Sequence, residues 1–443
     1  MKPFYLSIFI FSLAFTVRGE VPGGGDESRP DAARLSLSDV TRAVLENNPS
    51  IKSARRKWNA MKARVPQAAA WDDPKVSLEV NAARYVSVQP NSFANQIVTL
   101  EQMIPVSGKN RARARAATAE ALSVYEETRR QELDVVAKAR TSYFSLANVY
   151  AQMELNRKNL VSLKQIAEIS RSSYEAGNQS AAFVLTAETE CSKLMEAQRD
   201  LDQQRAAEES QLNVLMNRDA FAPVGEPVAE EMTHDIPSVE KLRDITLSQR
   251  PEVRMAAAKV EQGRASLQLA HREWIPDPAV NIEAQRYNDS NQGASEVDAG
   301  ISFNIPWVNP HKYSEVIHEA EENLEAAQQD LERARSEAVG LLRDALQKVE
   351  TKHHHIELFR DRLVPEARQA FEASQLGYES GKVSFMDWIA AQRNLRDLES
   401  QAREHLRDYQ SAVAELESVA GVELETITEH NPKTTASNKI THP

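Results

Sequence analysis

The sequence is poor in the residues that build disulfide frameworks, zinc clusters and large sheets. Its 443 residues include a single cysteine, Cys191, which excludes a disulfide within the chain and a cysteine-based zinc cluster. Glycine occurs only 14 times and aromatic residues make up 6% of the chain, which argues against an all-β fold. Acidic residues outnumber basic ones by 65 to 53, so the net charge of −12 argues against a general nucleic-acid-binding protein.

Long apolar runs are scarce as well. The clearest one, from Phe4 to Val17, is too short to cross a bilayer comfortably. It follows a positively charged start and ends near small residues, which predicts a signal peptide over residues 1–19. Residues 20–34 are expected to be flexible, and residues 422–443 to form a disordered tail. If this chain spans a membrane, it must therefore do so with strands.

Four short segments alternate between apolar and polar residues, which is typical of strands with one face in water. These strands are predicted over residues 75–83, 96–104, 279–287 and 297–305. Neither pair would be stable alone, because its apolar face would lie in water. Copies of the chain that close into a barrel would turn the apolar faces to lipid and the polar faces to a wet lumen. The lumen candidates are Asn281, Glu283, Gln285, Asp298 and Asn304.

Helical patterns of unusual length follow the strands. The pattern that starts at Lys109 has no convincing stop before Gly177, which predicts a rod of roughly 65 residues and about 100 Å. Leu146, Met153 and Leu160 recur every seven residues, as in a coiled-coil seam. A globular domain has no need of such a rod.

The whole pattern occurs twice. Tyr174 and Tyr378 each begin a Tyr-Glu-x-Gly turn, and they are 204 residues apart (378 − 174). Helix, strand, strand, long helix, turn and helix are expected in that order over residues 35–218 and again over 237–421, with a connector at 219–236. The sequence therefore predicts a mainly α fold with a small β part, built from two structural repeats.

Each long helix is expected to end in a tip that turns the chain back, at residues 174–186 and 378–390. A glycine able to adopt a left-handed conformation ends the first helix of each tip, and a serine three residues later can cap the next one. Asp387, in the first turn after the second tip, suits the positive end of a helix dipole.

These features together resemble the TolC family of outer-membrane efflux channels. The resemblance covers residues 37–421 and is carried by Asn48-Pro49, Pro74, Pro105, Pro278, Pro306, Gly177 and Gly381. The run Trp274-Ile275-Pro276-Asp277-Pro278 looks like the heavy-metal efflux branch of that family in particular.

The resemblance implies a homotrimer in the outer membrane, with a 12-stranded β-barrel continued by a long α-helical barrel in the periplasm. A periplasmic adaptor protein and an inner-membrane pump of the RND type would be its partners, and no nucleic acid would be involved. Such a channel conducts passively, so no enzyme activity, cofactor or resident metal is expected. Heavy-metal cations are the expected cargo, and multidrug efflux or type I secretion are alternatives with the same fold.

The resemblance also assigns roles at the tips. The residues expected to contact the adaptor are Gly177, Ser180, Leu185, Gly381, Ser384 and Phe385. The gate candidates are Tyr378, Asp387 and Pro365. Because Pro365 interrupts the second rod, where the first has Val161, the second hairpin is expected to be the one that bends.

Two alternative interpretations are a soluble scaffold protein and a metal site. A soluble periplasmic coiled-coil adaptor or scaffold would explain the rods and the signal peptide, but not four half-apolar strands bounded by matching prolines. A metal site at His353-His354-His355 is disfavoured, because consecutive helical residues point in different directions and cannot jointly bind one ion.

Overall fold

The computed structural model describes residues 34–80, 94–177, 179–228, 236–287 and 293–424. The predicted signal peptide and residues 425–443 of the predicted tail lie outside this described part. Among the described residues, no helix combines the length and the hydropathy needed to cross a bilayer.

The chain is mainly helical with one small antiparallel sheet, and its order of elements repeats as predicted. The first repeat comprises α1 (Leu37–Asn47), α2 (Pro49–Ala69), β1 (Lys75–Val80), β2 (Ala94–Met103), α3 (Lys109–Glu175) and α4 (Ala181–Leu215). The second comprises α5 (Val239–Gln249), α6 (Pro251–Arg272), β3 (Ala279–Tyr287), β4 (Glu296–Ser302), α7 (Pro310–Leu358), α8 (Val364–Glu379) and α9 (Phe385–Ala420). A π-helical turn, Phe359–Leu363, joins α7 to α8.

Proline and its neighbours fix where several helices begin. Pro49, Pro251 and Pro310 each occupy the first position of a helix, where the missing N–H leaves no hydrogen bond unmade. Asn48 caps α2, because its Oδ1 accepts a hydrogen bond from the backbone N–H of Ser50 at 2.9 Å. Short helices at the start of each repeat therefore join at a fixed angle rather than running on.

The four strands pair in the order β1-β2-β3-β4, so β1 and β4 are the two edges of the sheet. Val98 lies opposite Leu78 on one side and Ala284 on the other, and Leu100 lies opposite Ile282. This register puts most apolar residues on one face and most polar residues on the other, as the alternation predicts. Exceptions include Arg286, Gln96 and Gln102 on the apolar face and Ile97 on the polar face. The apolar face is open in the single chain, and Leu78 is 70% exposed.

The strand bounds differ from the prediction at four ends, one of which is the start of β4 at Glu296 rather than at residue 297. β2 starts two residues earlier than predicted and ends at Met103. β4 ends at Ser302 rather than at residue 305, because its partner strand begins at Ala279 and the pair Ala279–Ser302 is the last one. For the first strand, residues 81–83 lie outside the described part of the chain.

The hydrophobic core lies along the rods in separate clusters. α3 packs against α2, α4, α6 and α9, and α7 packs against α6 and α9. One cluster surrounds Tyr143 and Leu212 of the first repeat, and its equivalent surrounds Val349 and Leu416 of the second. Leu424, 1% exposed, belongs to the second cluster, so the prediction that the disordered tail starts at residue 422 is wrong for residues 422–424.

The π-helical turn accounts for a one-residue difference between the two rods. Before the turn, the buried Val135 and Ala338 correspond at an offset of 203 residues (338 − 135). Beyond it, the buried Leu163 and Ala367 correspond at 204 (367 − 163). One extra residue in the second rod is thus accommodated by a local i→i+5 turn, which keeps the buried face aligned on both sides.

Candidate functional site

The polar face of the sheet is one of two candidate sites. Glu283 lies at its centre, where its carboxylate accepts hydrogen bonds from Thr99 Oγ1 at 3.4 Å and from Gln285 Nε2 at 2.7 Å. The Gln285 amide also lies 3.3 Å from Asp298 Oδ2. The predicted lumen residues Asn281, Glu283, Gln285 and Asp298 therefore share one face and interact across strands.

This face, called the acidic strand face below, carries a clear excess of negative charge. Its acidic residues by register are Glu79, Glu101, Glu283, Glu296 and Asp298, while Lys75 is the one basic residue on that face of the described strands. Gly300 leaves room for the Asn281 amide, since an added Cβ would lie 2.7 Å from Asn281 Oδ1. The prediction that Asn304 lies in a strand is wrong, because this residue follows the end of β4.

A polar cluster joins the sheet to the rods where β2 ends and β3 begins. Asp277 accepts hydrogen bonds from the Ser107 N–H and hydroxyl, both at 2.7 Å, and lies 3.3 Å from Lys109 Nζ. Burial raises the pKa of Asp277, but the hydrogen bonds from Ser107 and the charge of Lys109 outweigh it and hold the pKa below its ordinary value. The two repeats are therefore locked together at the base of the sheet.

The two helical tips form the second candidate site. Gly177 and Gly381 both adopt the left-handed conformation, with φ of 76° and 72°. Ser180 caps α4 and Ser384 caps α9. The Ser384 hydroxyl donates to Asp387 Oδ2 at 2.8 Å while the Asp387 N–H donates back to Ser384, so this gate candidate is engaged in its own helix cap.

Aromatic residues hold the two tips against each other. Phe183 of the first tip stacks on Phe385 of the second, with ring centroids 5.0 Å apart. Tyr378 stacks on Trp388 at 4.8 Å, and its hydroxyl accepts a hydrogen bond from Gln179 Nε2 at 2.7 Å. Each tip therefore depends on the other for its packing, and Tyr378 bridges them.

For one of the residues expected to contact the adaptor, the structure contradicts the prediction. Phe385 is 2% exposed, because the first hairpin covers it, so it offers no surface to a partner in this arrangement. Leu185, 61% exposed, does face solvent, as do Gly177, Ser180, Gly381 and Ser384. Phe385 was assigned from its place beside the turn alone, and sequence gives no sign of which hairpin covers it.

Sequence analysis missed a charged contact between the hairpins. Glu190 of α4 is 2% exposed, and its Oε1 lies 2.7 Å from Lys193 Nζ and 2.8 Å from Arg393 Nη2 of α9. Arg396 approaches the other carboxylate oxygen at 3.7 Å. Burial raises the pKa of Glu190, but Lys193 and Arg393 outweigh it and hold the pKa below its ordinary value. Arg393 and Arg396 lie three residues apart on α9, and this spacing is the feature of the sequence that could have indicated the contact.

The remaining gate candidate, Pro365, lies just after the π-helical turn. Its ring excludes the usual hydrogen bond to the carbonyl four residues earlier, at Asp361, which is inside that turn. The first rod is one continuous helix through the corresponding position, Val161. The break in helical hydrogen bonding is thus confined to the second hairpin.

Three of the described histidines and the cysteine pack against neighbours. His353 lies against Tyr409, and His355 lies 5.0 Å from His405 between ring centroids. Burial raises the pKa of the Cys191 thiol. Within the described ranges, no three His, Cys, Asp or Glu side chains form a group that could hold a metal ion.

Comparison with known proteins gives the family. The sequence profile of the outer membrane efflux protein family matches residues 40–218 and 242–422, which are the two repeats. The chain therefore belongs to the outer membrane efflux protein family and is a protein of the outer membrane. Members of this family are transport proteins rather than enzymes.

Relatives with different cargo in their names are similar to this chain. The toluene efflux pump outer membrane protein TtgF of Pseudomonas putida is 21% identical over 62% of this chain, which spans 58% of that protein. The cobalt-zinc-cadmium resistance protein CzcC of Cupriavidus metallidurans is 21% identical over 83% of this chain and 85% of its own length. The alkaline protease secretion protein AprF of Pseudomonas aeruginosa is 20% identical over 89% and 86%.

Solved structures confirm the fold. The crystal structure of CusC superposes with a TM-score of 0.75 at 16% identity, covering 90% of this chain and 95% of that chain.

Proposed function

We propose that this protein is the outer-membrane subunit of a tripartite efflux system and that it conducts metal cations passively out of the periplasm. Three copies would close their sheets into a 12-stranded barrel, and the rods would continue the tunnel toward the inner membrane. A periplasmic adaptor would bind the tips, and an inner-membrane pump of the RND type would provide the energy.

The acidic strand face is the observation that carries this proposal. Its polar residues are clustered on one side of a sheet whose other side is mainly apolar and open, with Leu78 and Ile301 each 70% exposed. Outer-membrane barrels need that division, with the apolar face toward lipid and the polar face toward water. In a closed barrel, three copies of this face would form rings of carboxylates, which attract cations and repel anions.

The charge of this face supports one of the cargo classes that appear in the names of the relatives. Their names include toluene, a secreted protease and the ions of cobalt, zinc and cadmium. The carboxylates of Glu and Asp have little electrostatic interaction with a neutral hydrocarbon, whereas they lower the electrostatic energy of a divalent cation in the lumen. Metal cations are therefore the cargo that this sheet fits best.

Ion selectivity in a planar lipid bilayer tests the proposal. The purified protein should conduct, and the reversal potential in a KCl gradient should show a preference for K⁺. Replacing Glu283 with Gln and Asp298 with Asn should lower the cation-to-anion permeability ratio at least about twofold, because fixed charge leaves the lumen. Glu261→Gln, an exposed acid on α6, is the matched control and should keep the wild-type ratio.

Cargo is tested in the source cells. Deleting the gene should lower their tolerance of cobalt, zinc or cadmium ions and leave their tolerance of toluene unchanged. The reverse pattern would contradict the metal assignment while leaving the channel itself in place. A protein that forms no conducting pore at all would contradict the channel.

A further inference from the structure

At the base of the sheet, an ion pair joins the two repeats inside the chain. The residues equivalent to its two partners lie at the two edges of the sheet and form no ion pair with each other. Inside the chain, Lys109 and Asp277 form their ion pair at the start of α3 and the start of β3, with side chains 16% and 7% exposed. In the other repeat, Asp73 precedes β1 and Lys312 lies in the first turn of α7. Both are exposed, and within the described part of the chain neither forms an ion pair.

The correspondence of the two lysines follows from helix phase. Lys109 lies 26 residues before the buried Val135 (135 − 109), and Lys312 lies 26 residues before the buried Ala338 (338 − 312). Both intervals are continuous α-helix, so the two lysines point the same way relative to the buried face of their rods. Asp73 and Asp277 correspond because each stands directly before the proline that precedes a strand.

Strand register gives the same pairing independently. Leu100 of β2 lies opposite Ile282 of β3. Ile301 holds the place of Leu100 in β4, since Pro105 and Pro306 follow the two strands at the same distance, five residues on. Leu78 holds the place of Ile282 in β1, four residues after Pro74 as Ile282 is four after Pro278. A second copy seated on β4 in this register brings Leu78 opposite Ile301.

Resting on the proposed trimer, we infer that a second copy of this chain docks its β1 edge on β4, with its Asp73 paired to Lys312 and its Leu78 opposite Ile301. The opposite charges at the two edges fit this partner. Antiparallel pairing follows as well, because successive strands of the sheet alternate in direction. The contact between copies then repeats the ion pair between repeats, without the two hydrogen bonds from Ser107, whose counterpart is Pro310.

Three other ion pairs between the repeats have no charged equivalent that could form between copies. Glu126 pairs with Arg254, but its counterpart in the second rod is Gln329. Glu417 pairs with Arg140, but its counterpart is Asn213. Arg393 pairs with Glu190, and its counterpart is Thr189. The pair at the base of the sheet differs from these three, because both of its counterparts are charged; the pair of Arg140 with Glu423, whose counterparts are Arg343 and Asp219, shares this property.

Charge reversal tests the ion pair. Asp73→Lys and Lys312→Asp should each lower the association constant of the trimer about fivefold per contact, and the double variant should recover it. Asp72→Lys makes the same charge change one residue away, where the other repeat has Pro276, and should behave as wild type. Association is measured from the fraction of trimer on dilution in detergent. Single variants that match wild type, or a double variant no better than the singles, would overturn the pairing.

A disulfide tests the register even if charge variants assemble poorly. In a Cys191→Ala background, Leu78→Cys with Ile301→Cys should yield a covalent trimer on oxidation, since directly opposed residues on neighbouring strands suit a disulfide. Leu78→Cys with Val297→Cys, four residues along β4, should not. A trimeric wild type without this cross-link would overturn the register alone, whereas a monomeric wild type would overturn the proposed function with it.

Discussion

At the scale of single residues, charge buried between the hairpins matters more than charge on their surface. Glu190 is held by Lys193 of its own helix and by Arg393 and Arg396 of α9. A carboxylate with several charged hydrogen-bond donors contributes more than an exposed pair, because water does not screen it as fully. This contact therefore holds the two hairpins of one chain together above the tips.

Glu190→Gln should lower stability at pH 7 by about 1–3 kcal/mol, since hydrogen bonds to a buried charge are lost. Thermal unfolding followed by circular dichroism in detergent measures it. The matched control is Glu196→Gln on the same helix, whose pair with Arg199 is 68% and 82% exposed and should contribute less than about 0.5 kcal/mol. Equal losses in the two variants would contradict the account.

The pH dependence of that difference has a definite sign. Because the pKa of Glu190 is lower in the folded chain than in the unfolded one, its contribution is present above the unfolded pKa, about 4.3, and falls as the pH drops through the folded value. The gap between wild type and Glu190→Gln should therefore narrow on acidification below about pH 4. A gap that widens there would contradict the direction of the shift.

At the scale of elements, the second rod differs from the first by one residue and one proline. The π-helical turn absorbs the extra residue, and Pro365 removes a hydrogen bond directly beside it. A helix bends most easily where its hydrogen-bond ladder is interrupted. The second hairpin is therefore the one we expect to move when the tunnel opens.

Pro365→Ala should alter the conductance or its gating in planar bilayers, because it restores a backbone donor at the bend. Pro66, inside α2, provides the control: Pro66→Ala makes the same change in a helix without a π-helical turn and should leave conductance as in wild type. Transport unchanged by Pro365→Ala would remove the bend from the opening mechanism.

Helices and strands are the features of this fold that the sequence predicts best. Alternation of polarity and matched prolines are local signals, so the strands, the rods and the duplication could all be predicted. Interactions between distant segments could not. The sequence predicts Phe385 on a partner surface, whereas in the structure Phe183 covers it. It predicts Asn304 in a strand, whereas β3 offers that residue no partner. Leu424 was assigned to a disordered tail although it packs on the second core.

At the scale of the whole molecule, a single chain leaves strand edges and apolar surface without a partner. Its sheet has two free edges and an open apolar face, and such edges pair with another strand when one is offered. Rods as long as α3, with 67 residues, likewise bury only part of their surface against the same chain. Closure by further copies satisfies both the strand edges and the apolar face.

The number of copies in the purified particle tests this account most directly. Native mass spectrometry of the protein released from detergent micelles should give a single species of three chains. The account would be contradicted by a monomer that stays folded and soluble without detergent, since its strand edges and apolar face would then need no other copy.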